Sequence, residues 1–349
     1  SNDLFFEIQD NTTGIWMNDS TRTNSFIYKE QINAAYTSVS ADYKKWQIQA
    51  GLRAEQTISD GNSPTTGEVH KNNYIRFFPT LFVSQKINDK QSLTYSLARR
   101  INRPAYNELN PFIFYIDQYT YHLGNPFLQP EFSNSAEITH DYGDFLFTTV
   151  GFSRTYGGIA DATHQVDSTG ILNQSSINLN TIDYGYVNVN FSIPITKWWI
   201  NECNVALNYN HYKTNLNGAN LDRANTAVDL YANETFLLAH GWKFEASAWY
   251  QSSTVYTIFT IRPSADISLG VSKNFFKEKL HLSVNASDLF YSNTQKVYID
   301  FDNQHLYARH AFDSRVVYVR LRYNFGNSKA ARKSQFKSAA DDLQKRVGK

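Results

Sequence analysis

The sequence contains a single cysteine, Cys203, and no apolar run longer than about five residues. One cysteine excludes an internal disulfide framework and any metal site built from several thiolates. A membrane-spanning helix needs about 20 consecutive apolar residues, so insertion through helices is excluded as well. Neither sign of charge dominates, because the formal net charge is +1, and nucleic acid is therefore not an expected partner.

Motifs that carry catalytic chemistry are also missing. The sequence has no phosphate-binding loop, no nucleotide-binding glycine run, no nucleophile elbow and no zinc-protease motif. Two segments, 161–167 and 300–310, combine histidine with aspartate, but such spacing alone is weak evidence for a metal ion. We therefore expect no enzymatic activity, no cofactor and no metal site.

Aromatic residues are abundant, with 24 Phe and 23 Tyr in a chain whose hydrophobic fraction is only 42%. A transmembrane β-barrel accounts for this combination, because only every second residue faces lipid and aromatic rings gather at both membrane interfaces.

Apolar and polar residues alternate with a period of two in many segments, which predicts strands with one face toward lipid. The apolar residues predicted to face lipid are Trp46, Ile48, Leu52, Val187, Val189, Leu282, Val284, Val319 and Leu321. The polar residues predicted to line the lumen are Gln47, Arg53, Glu55, Asn188, His281, Asn285, Arg320 and Arg322. Such a lining either satisfies its own hydrogen bonds or contacts a plug or a passing solute.

The connections between the predicted strands fall into two alternating classes. Short turns are expected near residues 40–44, 87–90, 142–144, 194–197, 239–241 and 276–279. Long loops are expected near residues 9–25, 59–72, 102–131, 157–173, 215–225 and 296–310, with one shorter outward connection at 257–263. Outer-membrane barrels sort their connections in this way, with short turns in the periplasm.

The pattern predicts an all-β fold, a transmembrane antiparallel up-and-down barrel with about 14 strands of about 9 to 16 residues within residues 1–325. The basic tail, 326–349, is expected in the periplasm. Its apolar residues Phe336, Ala340, Leu343 and Val347 have helical spacing, which is typical of a short amphipathic helix. We expect a short frayed helix or a disordered tail rather than a helix that docks on another surface.

Residues 99–112 read RRINRPAYNELNPF, and residues 123–132 read LGNPFLQPEF. These segments resemble the RRINRPxYxxLNPF and GNPxLxPE signatures of the TonB-dependent-receptor-like outer-membrane barrel proteins that are common in Bacteroidetes. Segments 28–30, 44–46 and 51–55 resemble strands of the same family, and segment 323–327 resembles its last strand and exit. The resemblance therefore spans nearly the whole chain.

This resemblance implies the C-terminal part of a 22-stranded barrel in the bacterial outer membrane, with about eight further strands upstream. A strand near residues 4–8 is then expected to pair with upstream sequence rather than with residues 316–325. The implied partners are outer-membrane lipid including lipopolysaccharide, a plug domain, TonB, and a surface lipoprotein or other assembly subunits. The implied function is uptake of an unidentified ligand. A barrel subunit or scaffold that does not transport, and a passive pore, are the alternatives.

The longest loop, 102–131, contains the candidate ligand-binding residues Arg103, Tyr115, Tyr119 and Tyr121. The family-motif residues of this loop are Arg100, Pro104, Asn110, Pro111, Phe112, Gly124, Asn125 and Pro126. Because so many aromatic rings would be costly to leave in water, we expect the loop to fold back against the barrel mouth or neighbouring loops. The turns at 110–111 and 124–126 are expected to hold it there. Arginines 99, 100 and 103 are expected to pair with Glu108 or Glu131 and to fix the loop in place.

Overall fold

The computed structural model describes residues 2–19, 23–65, 67–216, 218–276 and 279–325. The predicted tail, 326–349, lies outside the described residues. No helix in the described ranges is long and apolar enough to cross a membrane.

The described residues form 22 strands, one short α-helix and one 3₁₀ helix. The strands are β1 (Asn2–Leu4), β2 (Glu7–Gln9), β3 (Trp16–Asn18), β4 (Asn24–Tyr43), β5 (Trp46–Ser63), β6 (Glu68–Asn88), β7 (Gln91–Asn102), β8 (Ile113–Tyr115), β9 (Thr120–Leu123), β10 (Glu131–Tyr142), β11 (Leu146–Val166), β12 (Ile171–Thr196), β13 (Trp199–Leu216), β14 (Ala219–Leu237), β15 (Trp242–Gln251), β16 (Thr254–Tyr256), β17 (Phe259–Ile261), β18 (Ser264–Phe275), β19 (Leu280–Ala286), β20 (Thr294–Phe301), β21 (Gln304–Ala311) and β22 (Val317–Tyr323). The helices are α1 (Tyr106–Leu109) and the 3₁₀ helix Ala239–Gly241.

One antiparallel sheet contains the barrel wall. Its strand order in the described residues is β1-β4-β5-β6-β7-β10-β11-β12-β13-β14-β15-β18-β19-β22, a path of 14 strands in which each wall strand pairs with the next along the chain. The predicted up-and-down antiparallel topology and the predicted strand number of about 14 are confirmed.

The register shows how the alternating pattern builds the two faces of the wall. Directly opposed residues of an antiparallel pair point to the same face, so a row of partners can be followed from strand to strand. One row from β5 to β14 contains Ile48, Val83, Tyr95, Ile138, Val150, Val187, Leu207 and Val228. The adjacent row on the opposite face contains Gln47, Ser84, Thr94, Thr139, Thr149, Asn188, Ala206 and Asp229.

The apolar rows define an outer face and the polar rows an inner face. Ser84 and Thr94 hydrogen-bond to each other across the inner face at 3.3 Å, as do Thr139 and Thr149 at 3.2 Å. On the outer face, large apolar side chains such as Ile48, Val187 and Leu321 are exposed rather than packed against a second sheet. The predicted lipid-facing and lumen-facing sets therefore lie on opposite faces, as expected for a membrane barrel.

Aromatic rings cluster at the rim formed by the short turns, which we call the short-turn rim. Trp198, Trp199, Phe236 and Phe244 form a chain of ring contacts with centroid distances of 5.8 to 6.3 Å. Tyr142 packs against Phe145, and Tyr323 against Phe325, at the same rim. The rim thus carries the aromatic girdle that marks a membrane interface.

The strands are longer than the sequence pattern predicted. β12 contains 26 residues, and β6 and β11 contain 21 each, whereas a tilted membrane strand needs only about 9 to 11. The predicted long loops at 59–72, 157–173 and 215–225 are therefore mostly strand, with tips between residues 63 and 68, 166 and 171, and 216 and 219. Backbone pairing continues beyond the apolar band, where the side-chain pattern no longer distinguishes lipid from water.

The sheet is open within the described residues. β1 pairs with β4 only at residues 24–26, and β22 pairs with β19. The expected strand at 4–8 is wrong, because β1 ends at Leu4 and β2 pairs with β3 in a separate hairpin. The rest of β4, residues 27–43, has β5 as its one strand partner in the described chain.

The face assignment predicts unequal effects of arginine on two neighbouring residues of β12. Val189→Arg places a charge on the outer face near the middle of the apolar band and should destabilise the inserted protein by about 2–4 kcal/mol. Asn188→Arg, the matched control, adds the same side chain to the inner face and should cost far less. Folding titrations of both variants into lipid vesicles measure the difference, and equal losses would contradict the assignment.

Candidate functional site

Two folded loop units cover the inner face at the rim opposite the short turns, which we call the long-loop rim. The first, the motif module, is residues 103–130 and contains α1, β8 and β9. The second, the sheet module, is formed by β16, β17, β20 and β21, which make a four-stranded antiparallel sheet of their own.

A buried ion cluster attaches the motif module to the wall. Arg103 donates to Glu55 and, at 2.7 Å, to the Thr57 hydroxyl. Its Nε lies 3.7 Å from Glu30 Oε1, and the side chains of Arg103, Glu55 and Glu30 are only 12%, 5% and 6% exposed. Glu55 and Thr57 continue the inner-face series of β5, so the motif module lies on the lumen side of the wall.

The two proline-containing turns of the motif pack directly on each other. A Cβ atom on Gly124 would lie 2.0 Å from the Asn110 carbonyl oxygen, so any other residue would push the two turns apart. The Asn125 N–H donates to the Glu108 carbonyl at 2.5 Å, and the Asn125 side chain donates to the Ser176 carbonyl of β12 at 3.1 Å. Leu109 and Leu128 are buried beside Phe26 of β4. The expectation that these turns hold the loop against the barrel mouth is confirmed.

The acidic partners predicted for the arginines are different in the structure. Glu108 accepts from the Ala105 N–H at 2.6 Å, and Glu131 accepts from the Asn102 side chain and the Ile159 N–H. Both glutamates therefore cap backbone groups, while the carboxylates that bind Arg103 come from β4 and β5. Pairing with Glu108 or Glu131 was the wrong expectation.

The tip of the motif module is less buried than expected. β9 pairs in parallel with residues 172–174 of β12, and β8 pairs with β9. The Tyr115 and Tyr121 rings lie 6.1 Å apart, yet Phe114, Tyr115 and Tyr119 are all at least half exposed. The expectation that the loop buries its aromatic rings is therefore wrong for this tip, although three of the candidate ligand-binding residues do lie together on it.

The sheet module is attached mainly by an apolar core. Buried residues of the wall and of the module form one cluster, comprising Ala160, Ala162, Leu179, Tyr212, Leu216, Leu221, Val255, Ile258 and Ile299. Tyr212 and Leu216 continue the period-two series of the inner-face residue Asn204 on β13. The module therefore also lies on the lumen side.

Polar contacts fix the orientation of the sheet module. Arg223 of β14 donates to the Ile258 carbonyl at 2.6 Å and to the Thr260 hydroxyl at 2.7 Å. Gln304 Nε2 donates to the Thr163 carbonyl of β11 at 3.0 Å. Each of these groups is paired across the contact, so burial leaves them hydrogen-bonded.

A buried carboxylate holds the segment that leads from β19 into the sheet module. Asp288 is fully buried and accepts hydrogen bonds from the Ser314 hydroxyl at 2.5 Å and the Ser292 N–H at 2.8 Å, as well as from the Asn293 N–H. Burial by itself raises the pKa of Asp288, but the hydrogen bonds from Ser314, Ser292 and Asn293 outweigh it and hold the pKa below its usual value.

The predicted lumen-lining residues lie in two groups. Arg53 is near Glu55 at 3.3 Å and stacks on Phe78 at 5.1 Å, below the motif module. His281, Asn285, Arg320 and Arg322 share the inner face of β19 and β22, because His281 opposes Arg322 and Ser283 opposes Arg320. Asn285 also lines an inner-face cavity of about 290 Å³ with Glu245, Ser247 and Tyr318.

Sequence reasoning missed the residues that act over long separations. Glu30 and Asp288 were not singled out, and neither was Ser176, whose hydroxyl lies 3.1 Å from Asp161 and 3.4 Å from Glu108. Glu30 lies in segment 28–30, which was noted only for its resemblance to a family strand, and Asp288 and Ser176 belong to no local motif. Only the packed structure therefore identifies their contacts. Within the described ranges, no group of three or more histidine, cysteine or acidic residues is arranged to hold a metal ion.

The sequence profile of the Outer membrane protein beta-barrel family matches residues 1–323. The chain belongs to this family. Its location is accordingly the bacterial outer membrane, in agreement with the apolar outer face and the aromatic girdle. No curated protein matches the sequence.

Several solved structures share this family member's fold. The copper transporter OprC superposes with a TM-score of 0.63 at 13% identity, over 91% of this chain and 51% of OprC. The ferric yersiniabactin uptake receptor FyuA from Yersinia pestis gives 0.59 at 13%, over 87% and 47%. The siderophore receptor PiuA from Acinetobacter baumannii gives 0.57 at 16%, over 88% and 44%. The chain thus spans about half the length of these proteins, and at such identities the likeness shows the fold alone.

The buried ion cluster predicts that Arg103, and not Arg100, holds the motif module on the barrel wall. Arg103→Leu removes the cation that Glu30 and Glu55 share and leaves Arg53, 3.3 Å from Glu55, as a neighbouring cation. Removing one partner of a buried ion pair costs about 3–5 kcal/mol. Arg100→Leu is the matched control, because the Arg100 side chain is exposed on β7, the strand that leads into the motif module. Hydrogen exchange in residues 103–130 should accelerate strongly only in Arg103→Leu. Equal protection in both variants would show that the cluster does not hold the module.

The lowered pKa of Asp288 predicts an acid-sensitive sheet module. A carboxylate with a depressed folded-state pKa stabilises the fold above its unfolded value of 3.8, and the stabilisation is lost as the pH falls below that value. Pepsin cleavage within residues 287–316, measured relative to an unfolded reference substrate at the same pH, should therefore rise on acidification from about pH 5 to about pH 2. Asp288→Asn should raise cleavage at the upper end of this pH range and make cleavage depend less on pH. If cleavage of the variant depends on pH as in the unchanged protein, the Asp288 carboxylate is not the cause of the acid sensitivity.

Proposed function

We propose that this chain is the C-terminal barrel part of a TonB-dependent receptor of the Bacteroidetes type, which takes up a ligand across the outer membrane. The observation that carries the proposal is a wall with a polar inner face whose long-loop rim is covered by two firmly attached modules. A polar lumen suits passage of a solute. Folded modules at the mouth suit a receptor that binds before it transports, and they oppose free diffusion.

The open sheet edges support further strands upstream. In lipid, each unpaired backbone N–H or C=O costs several kcal/mol, which is why membrane barrels close. β1 opposes residues 24–26 of β4 with Asn2 opposite Phe26. A strand that continues upstream in this register would cover residues 27–43 of β4. We infer a complete barrel of 22 strands, with a plug domain in its lumen and TonB as its periplasmic partner.

In such a receptor the charged residues of the inner face would contact the plug or the ligand. Arg53, His281, Arg320 and Arg322 would face the plug or the passing ligand, and their charges suit polar contacts with either. A closed passive pore of 14 strands would need β1 and β22 to pair, whereas β22 has β19 as its one strand partner in the described residues.

The proposal predicts a closed, TonB-binding protein. The full-length protein in planar bilayers should show no large steady conductance, and it should be retained on an immobilised periplasmic domain of TonB. Deletion of the plug-coding segment should open a large conductance without unfolding the barrel. A full-length protein that conducts freely and ignores TonB would establish the passive pore instead.

A further inference from the structure

Two segments at the long-loop rim lack lysine and arginine. Residues 2–19 and 104–131 contain no lysine or arginine, although the whole chain has 33. Their acidic residues are Asp3, Glu7, Asp10, Asp19, Glu108, Asp117 and Glu131. Asp3, Glu7 and Asp117 are exposed. These three exposed carboxylates give this part of the rim its negative charge.

The same two segments expose large apolar side chains. Phe5 is 78% exposed just before the β2–β3 hairpin, Trp16 is 60% exposed within the hairpin, and Phe114 is 63% exposed on β8. Other exposed members are Ile8, Ile15, Met17, Tyr115, Ile116 and Tyr119. The rings of Phe6 and Phe112 stack with a centroid distance of 5.9 Å and join the two segments. We call the combined surface the acidic aromatic patch. Apolar surface of this extent usually marks a binding site.

Open backbone edges border the patch. In the described part of the chain, β2 and β3 have only each other as strand partners, and β8 has only β9. An extended chain can add to such an edge through backbone hydrogen bonds, while alternate side chains enter neighbouring pockets. Strand edges next to exposed aromatic rings suit an extended peptide better than a compact solute.

We propose that the acidic aromatic patch binds an extended peptide that carries basic and apolar side chains. The proposal rests on the proposed receptor function and names its ligand class. Negative charge on Glu7 and Asp117 attracts basic side chains and repels anionic ligands, and the exposed rings receive apolar side chains and the stems of lysine and arginine.

Peptide binding can be measured on the full-length protein in lipid nanodiscs by fluorescence anisotropy. The probe is a labelled octapeptide that alternates lysine with phenylalanine, and its control replaces each lysine with glutamate. The basic peptide should bind at least about tenfold more tightly, a difference of about 1.4 kcal/mol, and binding should weaken at high salt. Equal binding of the two peptides, or none, would overturn the proposal.

Matched variants locate the site. The combined changes Trp16→Ala and Tyr115→Ala should weaken binding of the basic peptide at least about tenfold, and Glu7→Gln with Asp117→Asn should do the same and reduce the salt effect. Phe290→Ala and Asp300→Asn are the controls, because both side chains are highly exposed outside the patch. An equal loss in the control variants would show that binding is not specific to the patch.

Other parts of the assembled protein, or a second copy, would compete for the same surface. In a Cys203→Ser background, Trp16→Cys and Tyr115→Cys should react with a membrane-impermeant maleimide on intact cells. If neither cysteine reacts with the maleimide, the patch is covered in the assembled protein and the proposal is overturned. Loss of peptide binding in a protein that still binds TonB and stays closed would reject the ligand class alone, whereas failure of both tests would reject the receptor assignment.

Discussion

Backbone hydrogen bonding in lipid is the constraint on which the rest of this structure depends. Water is absent from the bilayer core, so each wall strand must satisfy its N–H and C=O groups on its neighbours. The continuous register from β4 to β22 meets this requirement, and it forces the side chains into two faces. Apolar rows then contact lipid and polar rows line the lumen, without any conventional apolar core through the wall.

The membrane-spanning part of this design could be predicted from the sequence. Residues such as Val187 and Asn188 alternate because neighbouring side chains point to opposite faces of a strand, and the short turns follow from strand length and parity. The motif residues Asn110, Gly124 and Asn125 also indicated a turn-rich loop correctly, because glycine and asparagine act locally.

The attachment of the loops could not be predicted in this way. Arg103 binds Glu55 and Glu30, which precede it by 48 and 73 positions in the numbering, and no local pattern links them. Asp288 is held by Ser314 across a segment that forms part of the sheet module. The outward extent of β11 and β12 was missed for a related reason. Beyond the apolar band, β11 and β12 stay paired as far as Val166 and Ile171, and there the side chains no longer alternate between lipid and water.

The length of β12 has a consequence for how a ligand would be received. Its 26 residues, at about 3.3 Å each, make a strand roughly 85 Å long. The membrane takes about 9 to 11 of these residues, so about 15 stand clear of the lipid, a height of roughly 35 Å at a tilt of about 45°. The modules are therefore carried above the headgroups on a stiff wall instead of on flexible tethers. A surface organised before its ligand arrives loses little conformational entropy on binding, so even modest contacts there translate efficiently into affinity.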